Sequence, residues 1–201
     1  PTSASSELAD IALAEFVAVR PDVPVVSRHL AVDPISSDAW QTAIGASYTP
    51  EEYRTPEQKE ALELAATVAS ELRDADVAVL ALPLYNWGVS QHTKTWIDLA
   101  IVGSEQGERL LDGKHVLLIT TRGGSYAPGT PKEGWDHNIE YLRRILVDVW
   151  GADLTVVERE FTLVGVNPAL DQFAEAAALI KKEAHEAAAD AGQKLAEVHA
   201  A

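Results

Sequence analysis

Three short segments carry residue types suited to holding a flat, phosphorylated ligand. The first is Pro1-Thr2-Ser3-Ala4-Ser5-Ser6, small hydroxyl residues that lead into an apolar-periodic stretch. Hydroxyls at a helix start offer O–H and backbone N–H groups to a phosphate, and the helix dipole favours its negative charge. The same serines also read as a plain N-cap and loop. The segment lacks the lysine and glycines of a P-loop, which argues against triphosphate hydrolysis. The second is Pro83-Leu84-Tyr85-Asn86-Trp87-Gly88, with two aromatics, an amide and a glycine that could lie beside a heteroaromatic ring or pack as an ordinary turn. The third is Thr120-Thr121-Arg122-Gly123-Gly124-Ser125, whose paired glycines let a backbone come close to a ligand or simply turn.

The elements that position these segments alternate between strand and helix patterns, the signature of an α/β fold. The spacing predicts a helix from Ser5 to Val19, stopping before Pro21, and a strand from Pro24 to Val32. A short helical stretch spans Ser37 to Ala46. Thr55-Pro56-Glu57-Gln58 has the form of a capped helix start, continuing to about Arg73. Val77 to Leu82 and His115 to Thr120 are unbroken apolar runs, as expected of parallel strands buried on both faces. Between them a helix runs from Gln91 to Val102. Another spans Asp136 to Trp150, with Gly151 just beyond its end. A strand covers Leu154 to Val157, extending at most to Leu163. Asn167-Pro168 opens a final helix whose stripe of Leu170, Phe173, Ala177, Ile180, Ala184 and Ala191 faces the sheet.

All three segments follow predicted strands or open the first helix, so they gather at one edge of the sheet, the carboxyl edge where open α/β folds bind ligands. Only four strands are counted, and the first element is a helix. A doubly wound sheet begins with a strand near its centre, so a first strand is expected upstream of Pro1. Residues 1–201 read as a single domain.

Composition narrows the function classes. Net charge is −15, with 47% hydrophobic and 23% charged residues, which suits an acidic-surfaced globular chain and gives no basis for binding nucleic acid or anionic lipid. No apolar run approaches the roughly 20 residues of a membrane helix, and cytoplasmic location is the default expectation. Cysteine is absent, so there is no disulfide, thiolate metal site or cysteine nucleophile, and redox chemistry must come from a cofactor. The six histidines are scattered, and no metal is expected.

With these residues in view, the chain resembles the FMN-dependent NADH-azoreductase and NAD(P)H:quinone oxidoreductase family of flavodoxin-like proteins. Pro83 to Gly88, continuing through Ser90, Lys94 and Asp98, resembles the family's Tyr-Asn-aromatic loop. Thr121-Arg122-Gly123-Gly124 resembles its Ser-Arg-Gly-Gly loop, and Ser3-Ala4-Ser5 its phosphate-binding Ser-X-Ser. The resemblance implies a five-stranded parallel sheet of order 2-1-3-4-5 with FMN at the switch point. Ser3, Ala4 and Ser5 would hold the phosphate, and Leu84, Tyr85, Asn86, Trp87 and Gly88 would border the isoalloxazine. Thr121, Arg122, Gly123 and Gly124 would meet its pyrimidine side. It also implies a homodimer and a ping-pong transfer from NADH or NADPH through FMN to a quinone or azo acceptor, with no catalytic side chain. Val102 to Gly113 is shorter than the family's corresponding stretch, which bears on substrate range. Tyr126 and Trp135 are candidates for the substrate-pocket wall in its place. The competing classes are an electron-carrying flavodoxin, which the acidic charge would suit, and a flavodoxin-like module without cofactor.

Overall fold

The computed structural model describes residues 3–198. Its sheet has three parallel strands in the order β1-β2-β3: β1 (Val77–Ala81), β2 (His115–Thr121) and β3 (Asp153–Arg159). Side chains alternate across β2, and both of its faces are covered. Val116 and Leu118 join a core with α2 (Ala39–Ser47), α3 (Pro56–Asp74), α4 (Gln91–Val102) and α5 (Ile139–Arg143). Leu117 and Ile119 join a second core with α1 (Ala4–Val19) and α6 (Ala174–Val198). Two glycines let helices approach. A Cβ on Gly192 of α6 would stand 2.2 Å from the Ala12 carbonyl oxygen of α1, and one on Gly103 would stand 2.0 Å from that of Ala65 in α3.

Helix starts follow their caps. Ser3 caps α1, Ser90 caps α4, and Thr55 with Gln58 forms a reciprocal capping box on α3. α5 continues as a wider π-type turn over Arg144–Val149 and ends at Gly151 with φ 84°, the left-handed position expected just beyond a helix end.

The expected strand from Pro24 to Val32 does not form. Residues 24–29 are irregular, 30–33 make a turn, and Val26 and Val32 are exposed. β-branched residues favour extended backbone, but a strand exists only where a neighbour accepts and donates its ladder bonds. None of the described residues lies beside this segment in that way. It is pinned instead by Arg28, whose guanidinium donates two bonds to Glu71 of α3 at 2.7 and 2.6 Å. The described sheet therefore has three strands rather than five, and β1 is an edge strand, only half-buried along its whole length.

β3 runs two residues past Val157 to Arg159 and stops short of the outer limit at Leu163. Phe161 turns the chain with φ 57°, and Thr162 and Leu163 bond back to the Arg122 and Gly123 carbonyls. Asn167-Pro168 opens a 3-10 turn over Pro168–Phe173, with α6 starting only at Ala174. The tighter winding rotates Leu170 and Phe173 off the expected stripe. Phe173 stacks on Phe161 at 5.1 Å, and the helix buries Ala184, Ala188, Ala191, Leu195 and Ala196.

Candidate functional site

The three segments meet at the carboxyl edge of the sheet, and the bonds that join them can be followed. The loop after β1 is tied to the end of β2 by Leu82 N–H to Ile119 O at 2.9 Å and Leu84 N–H to Thr121 O at 3.0 Å. The loop after β2 is tied to the end of β3 by Arg122 N–H to Arg159 O at 2.8 Å. The first turn of α1 reaches that same end through Glu7, which accepts from the Arg159 guanidinium at 2.8 Å.

At α1, Ser3 Oγ accepts from Ser6 N–H and lies 3.1 Å from the buried Ser5 hydroxyl. The Ala4 and Ser5 N–H groups take no bond among the described residues, as at any open helix start. Pro1 and Thr2 lie outside the described residues. Glu7 in the same turn also meets Lys181 at 3.0 Å and His185 Nε2 at 3.2 Å. Burial alone would raise the Glu7 carboxyl, but the bonds from Lys181 and Arg159 outweigh it and leave it below its ordinary value.

In the second loop, Tyr85 and Gly88 exchange both backbone bonds at 3.0 Å around Asn86 (φ 48°) and Trp87 (φ 67°). Two successive positive φ values are the type I′ pattern, which normally selects Asn and Gly. Asn86 accepts this readily. A bulky tryptophan does not, and strain of this kind is concentrated at functional sites. The glycine of the motif stands after the strained pair, so its freedom is not what shapes the turn. The turn presents Tyr85, Asn86 and Trp87 to solvent, while the Leu84 side chain is buried beneath them.

In the third loop, Thr121 and Arg122 are buried and Gly123 and Gly124 half-buried. The two glycine carbonyls accept from Leu163 and Phe161, whereas their N–H groups take no bond among the described residues. A Cβ on Gly123 would stand 2.6 Å from a Leu163 methyl, so the glycine admits the strand-end loop behind it. The Arg122 side chain is 7% exposed and donates to Asp136 and Glu158, both at 2.5 Å. It points into the protein, away from the role of a ring contact suggested by its place in the motif.

The aromatic segment beyond this loop returns to the site. Trp135 meets Trp87 edge-on with ring centroids 6.1 Å apart, and His137 N–H donates to Trp87 O at 2.9 Å. Lys132 lies over the Tyr126 ring at 5.4 Å. Burial, with Asp136 and Glu160 adding and Arg122 opposing, pushes the Tyr126 phenol above its ordinary value. Asn138, fully buried, was not singled out by its sequence position. Its amide nitrogen bridges Leu82 O at 3.2 Å and Thr120 Oγ1 at 3.1 Å, joining the ends of β1 and β2 beneath the site. The Arg122 partners Asp136, Glu158 and Glu160 were likewise invisible, since 14 to 38 residues separate them from Arg122 and no motif links them.

Unbonded N–H groups at a helix start and a glycine loop lie at the carboxyl edge of a parallel sheet near exposed aromatics, the edge where flavodoxin-like α/β folds bind ligands. A family model described as flavodoxin-like fold matches residues 1–194. The FMN-dependent NADH:quinone oxidoreductase of Frankia alni is 39% identical over 178 residues, covering 86% of this chain and 84% of the relative. That of Frankia casuarinae is 37% identical over 195 residues, covering 94% and 90%. Among solved structures, an azoreductase from Bacillus anthracis strain Sterne superposes with a TM-score of 0.75 at 22% identity over 96% of this chain and 92% of its own, a likeness of fold. The chain belongs to the flavodoxin-like family and, within it, to the oxidoreductases related to FMN-dependent NADH:quinone oxidoreductase. No described helix is long and apolar enough to cross a membrane.

Proposed function

We propose that this protein is an FMN-dependent reductase that carries electrons from NADH, or NADPH, to quinones, azo compounds or both. The observation that carries the reading is the pair of unbonded N–H groups at Gly123 and Gly124, set beside the Tyr85 to Trp87 turn and across from the open N-terminus of α1. FMN needs this donor set, with a helix N-terminus for its phosphate and backbone donors for the polar rim of its ring. When bound, FMN would supply two-electron transfer between the nicotinamide and the acceptor, in a ping-pong order.

The protein's own residues then bind and orient. Ser3, Ala4 and Ser5 offer hydroxyl and N–H donors to the phosphate. Leu84, Tyr85, Asn86, Trp87 and Gly88 border the ring, Leu84 through its backbone. Thr121, Arg122, Gly123 and Gly124 line the pyrimidine side, where the glycine N–H groups stabilise negative charge. Arg122 serves this loop from behind through its ion pairs. Trp135 and Tyr126 wall the acceptor side, and the short stretch from Val102 to Gly113 leaves that wall to them. The unpaired outer edge of β1 supports the larger parallel sheet of order 2-1-3-4-5, in which β1, β2 and β3 are the third to fifth strands. The exposed Trp40, Tyr48 and Tyr53 support a homodimer, which sedimentation equilibrium tests.

The deciding experiment is anaerobic mixing of the FMN-loaded protein with NADH and, separately, NADPH, followed by a quinone or an azo dye. Flavin absorbance bleaches with the donor and returns with the acceptor. Absorbance unmoved by either nicotinamide overturns the reading.

A further inference from the structure

Residues 125–136 form an irregular strap whose end returns to Trp87, and both of its ends lead back to one guanidinium. At the far end, Arg122 Nε donates to Asp136 at 2.5 Å. At the near end, Ser125 Oγ and Tyr126 N–H donate to Glu160 at 2.6 and 2.7 Å, and Glu160 lies 3.9 Å from Arg122 Nη1. Glu158 completes the set on Nη1 at 2.5 Å. Arg122 and Asp136 are 7% and 10% exposed, so the pair is shielded from water and from salt. A charge buried this far cannot relax outward when its partner is lost, so the pair holds its geometry.

Asp136 transmits this anchorage to the aromatic wall. Its other oxygen accepts from the N–H groups of Asn138 and Ile139 at 2.8 and 3.1 Å, which fixes the start of α5. The next residue, His137, bonds the Trp87 carbonyl. Trp135, immediately before Asp136, is half-exposed, and its ring contact among the described residues is with Trp87, edge-on. The Trp135 N–H bonds Lys132 O at 3.1 Å within the strap, so Asp136, which follows it, is its tie to the rest of the fold.

We propose that Arg122 is a positioning residue that sets the acceptor-side wall, holding Trp135 against Trp87 through its ion pair with Asp136. The proposal rests on the reading of Trp135 as part of the acceptor wall. It assigns the side chain of the arginine in the Thr-Arg-Gly-Gly loop to acceptor selection, while the loop backbone stays with the cofactor. Arg fits this place because its planar fork meets two carboxylates at fixed angles, which a lysine ammonium cannot do.

The test uses the FMN-loaded full chain with D136N, R122K and W135A. D136N keeps an oxygen to cap Asn138 and Ile139 but turns an N–H donor toward Arg122, so it breaks the pair and spares the helix start. Three quantities are read: amide hydrogen exchange over residues 125–136, KM for a naphthoquinone, and the FMN dissociation constant. In D136N, exchange in the strap is expected to rise about tenfold or more, as for release of a local unit. The quinone KM is expected to rise roughly fivefold, with NADH KM and FMN affinity within about twofold, the split that marks a lost acceptor contact. R122K falls between D136N and the parent on both the exchange and the quinone readings. A D136N variant that only lowers the melting temperature, with strap exchange and quinone KM unmoved, overturns the proposal. If W135A raises quinone KM while D136N does not, the wall reading stands and this proposal fails. If W135A leaves quinone KM unchanged, the wall reading fails and takes the proposal with it.

Discussion

Arg159 at the end of β3 donates to Glu7 in the first turn of α1 at 2.8 Å, while its own carbonyl accepts the Arg122 N–H. One residue thus links the proposed phosphate site to the proposed pyrimidine loop. Replacing Glu7 with Gln leaves Arg159 and Lys181 facing a neutral amide, at an expected stability cost of about 1 to 2 kcal/mol. FMN affinity falls with it, because the turn carrying Ser3 and Ser5 loses its anchor. Urea unfolding and flavin fluorescence titration read the two effects. The folded carboxyl lies below its ordinary value of 4.5, so its contribution is complete above that value. It is lost as pH falls below about 4.5, and E7Q flattens that part of the stability profile.

Two glycines in helices should respond oppositely to alanine. Gly192 has no room, since its Cβ would stand 2.2 Å from backbone oxygen of Ala12. G192A must force α1 and α6 apart, at about 2 to 3 kcal/mol. Gly45 in α2 has nothing within 4 Å of the same position, and G45A gains up to about 1 kcal/mol of helix propensity. Urea midpoints measured side by side check both signs. A G192A protein as stable as the parent would show that the α1 and α6 crossing is looser than described.

Which features were legible in the sequence follows from how local their causes are. The apolar runs at Val77 and His115, the Thr55 capping box and the Gly151 helix end depend on neighbours within a few residues, and each took its expected local structure, although β1 is a half-buried edge strand of the described sheet rather than covered on both faces. Pro24 to Val32 failed because a strand depends on a partner, which its own residues cannot supply. The three loops of the candidate site were legible because they follow strands or open a helix. The inward turn of the Arg122 side chain was not, since its direction is set by carboxylates from β3 and from the strap. Motif position thus located the loop without showing which of its atoms face a ligand.

Asn86 and Trp87 both adopt left-handed backbone, and only the first is a residue type that tolerates it well. N86V places a β-branched side chain at φ 48°, which costs roughly 1 to 2 kcal/mol and favours opening the turn. Because Trp87 holds His137 through its carbonyl and Trp135 through its ring, the change should register in tryptophan emission as well as in stability. N86G is the control, since glycine adopts the same φ freely and keeps the turn. Equal stability and equal emission for N86V and the parent would mean that the turn carries no strain worth naming.

Glu108, in the connection after α4, accepts from Arg73 of α3 at 2.6 and 3.0 Å and from Glu105 N–H at 2.8 Å. The Arg73 bonds first, then the Glu105 N–H, lower its carboxyl to about 2 against a small opposing effect of burial. A carboxyl carbon titration by NMR should find it still ionised at pH 3, when ordinary glutamates are mostly protonated. R73Q removes the larger cause and should move it back toward 4.5, leaving only the contribution of the backbone bond. The linkage has the same sign as at Glu7 but a wider window. The stabilisation is complete above the ordinary 4.5 and disappears as pH falls toward about 2, so the parent and R73Q should converge in stability only at the acid end. This contact fastens the Val102 to Gly113 stretch to α3, so R73Q should also raise amide exchange there while leaving the strap at 125–136 unchanged.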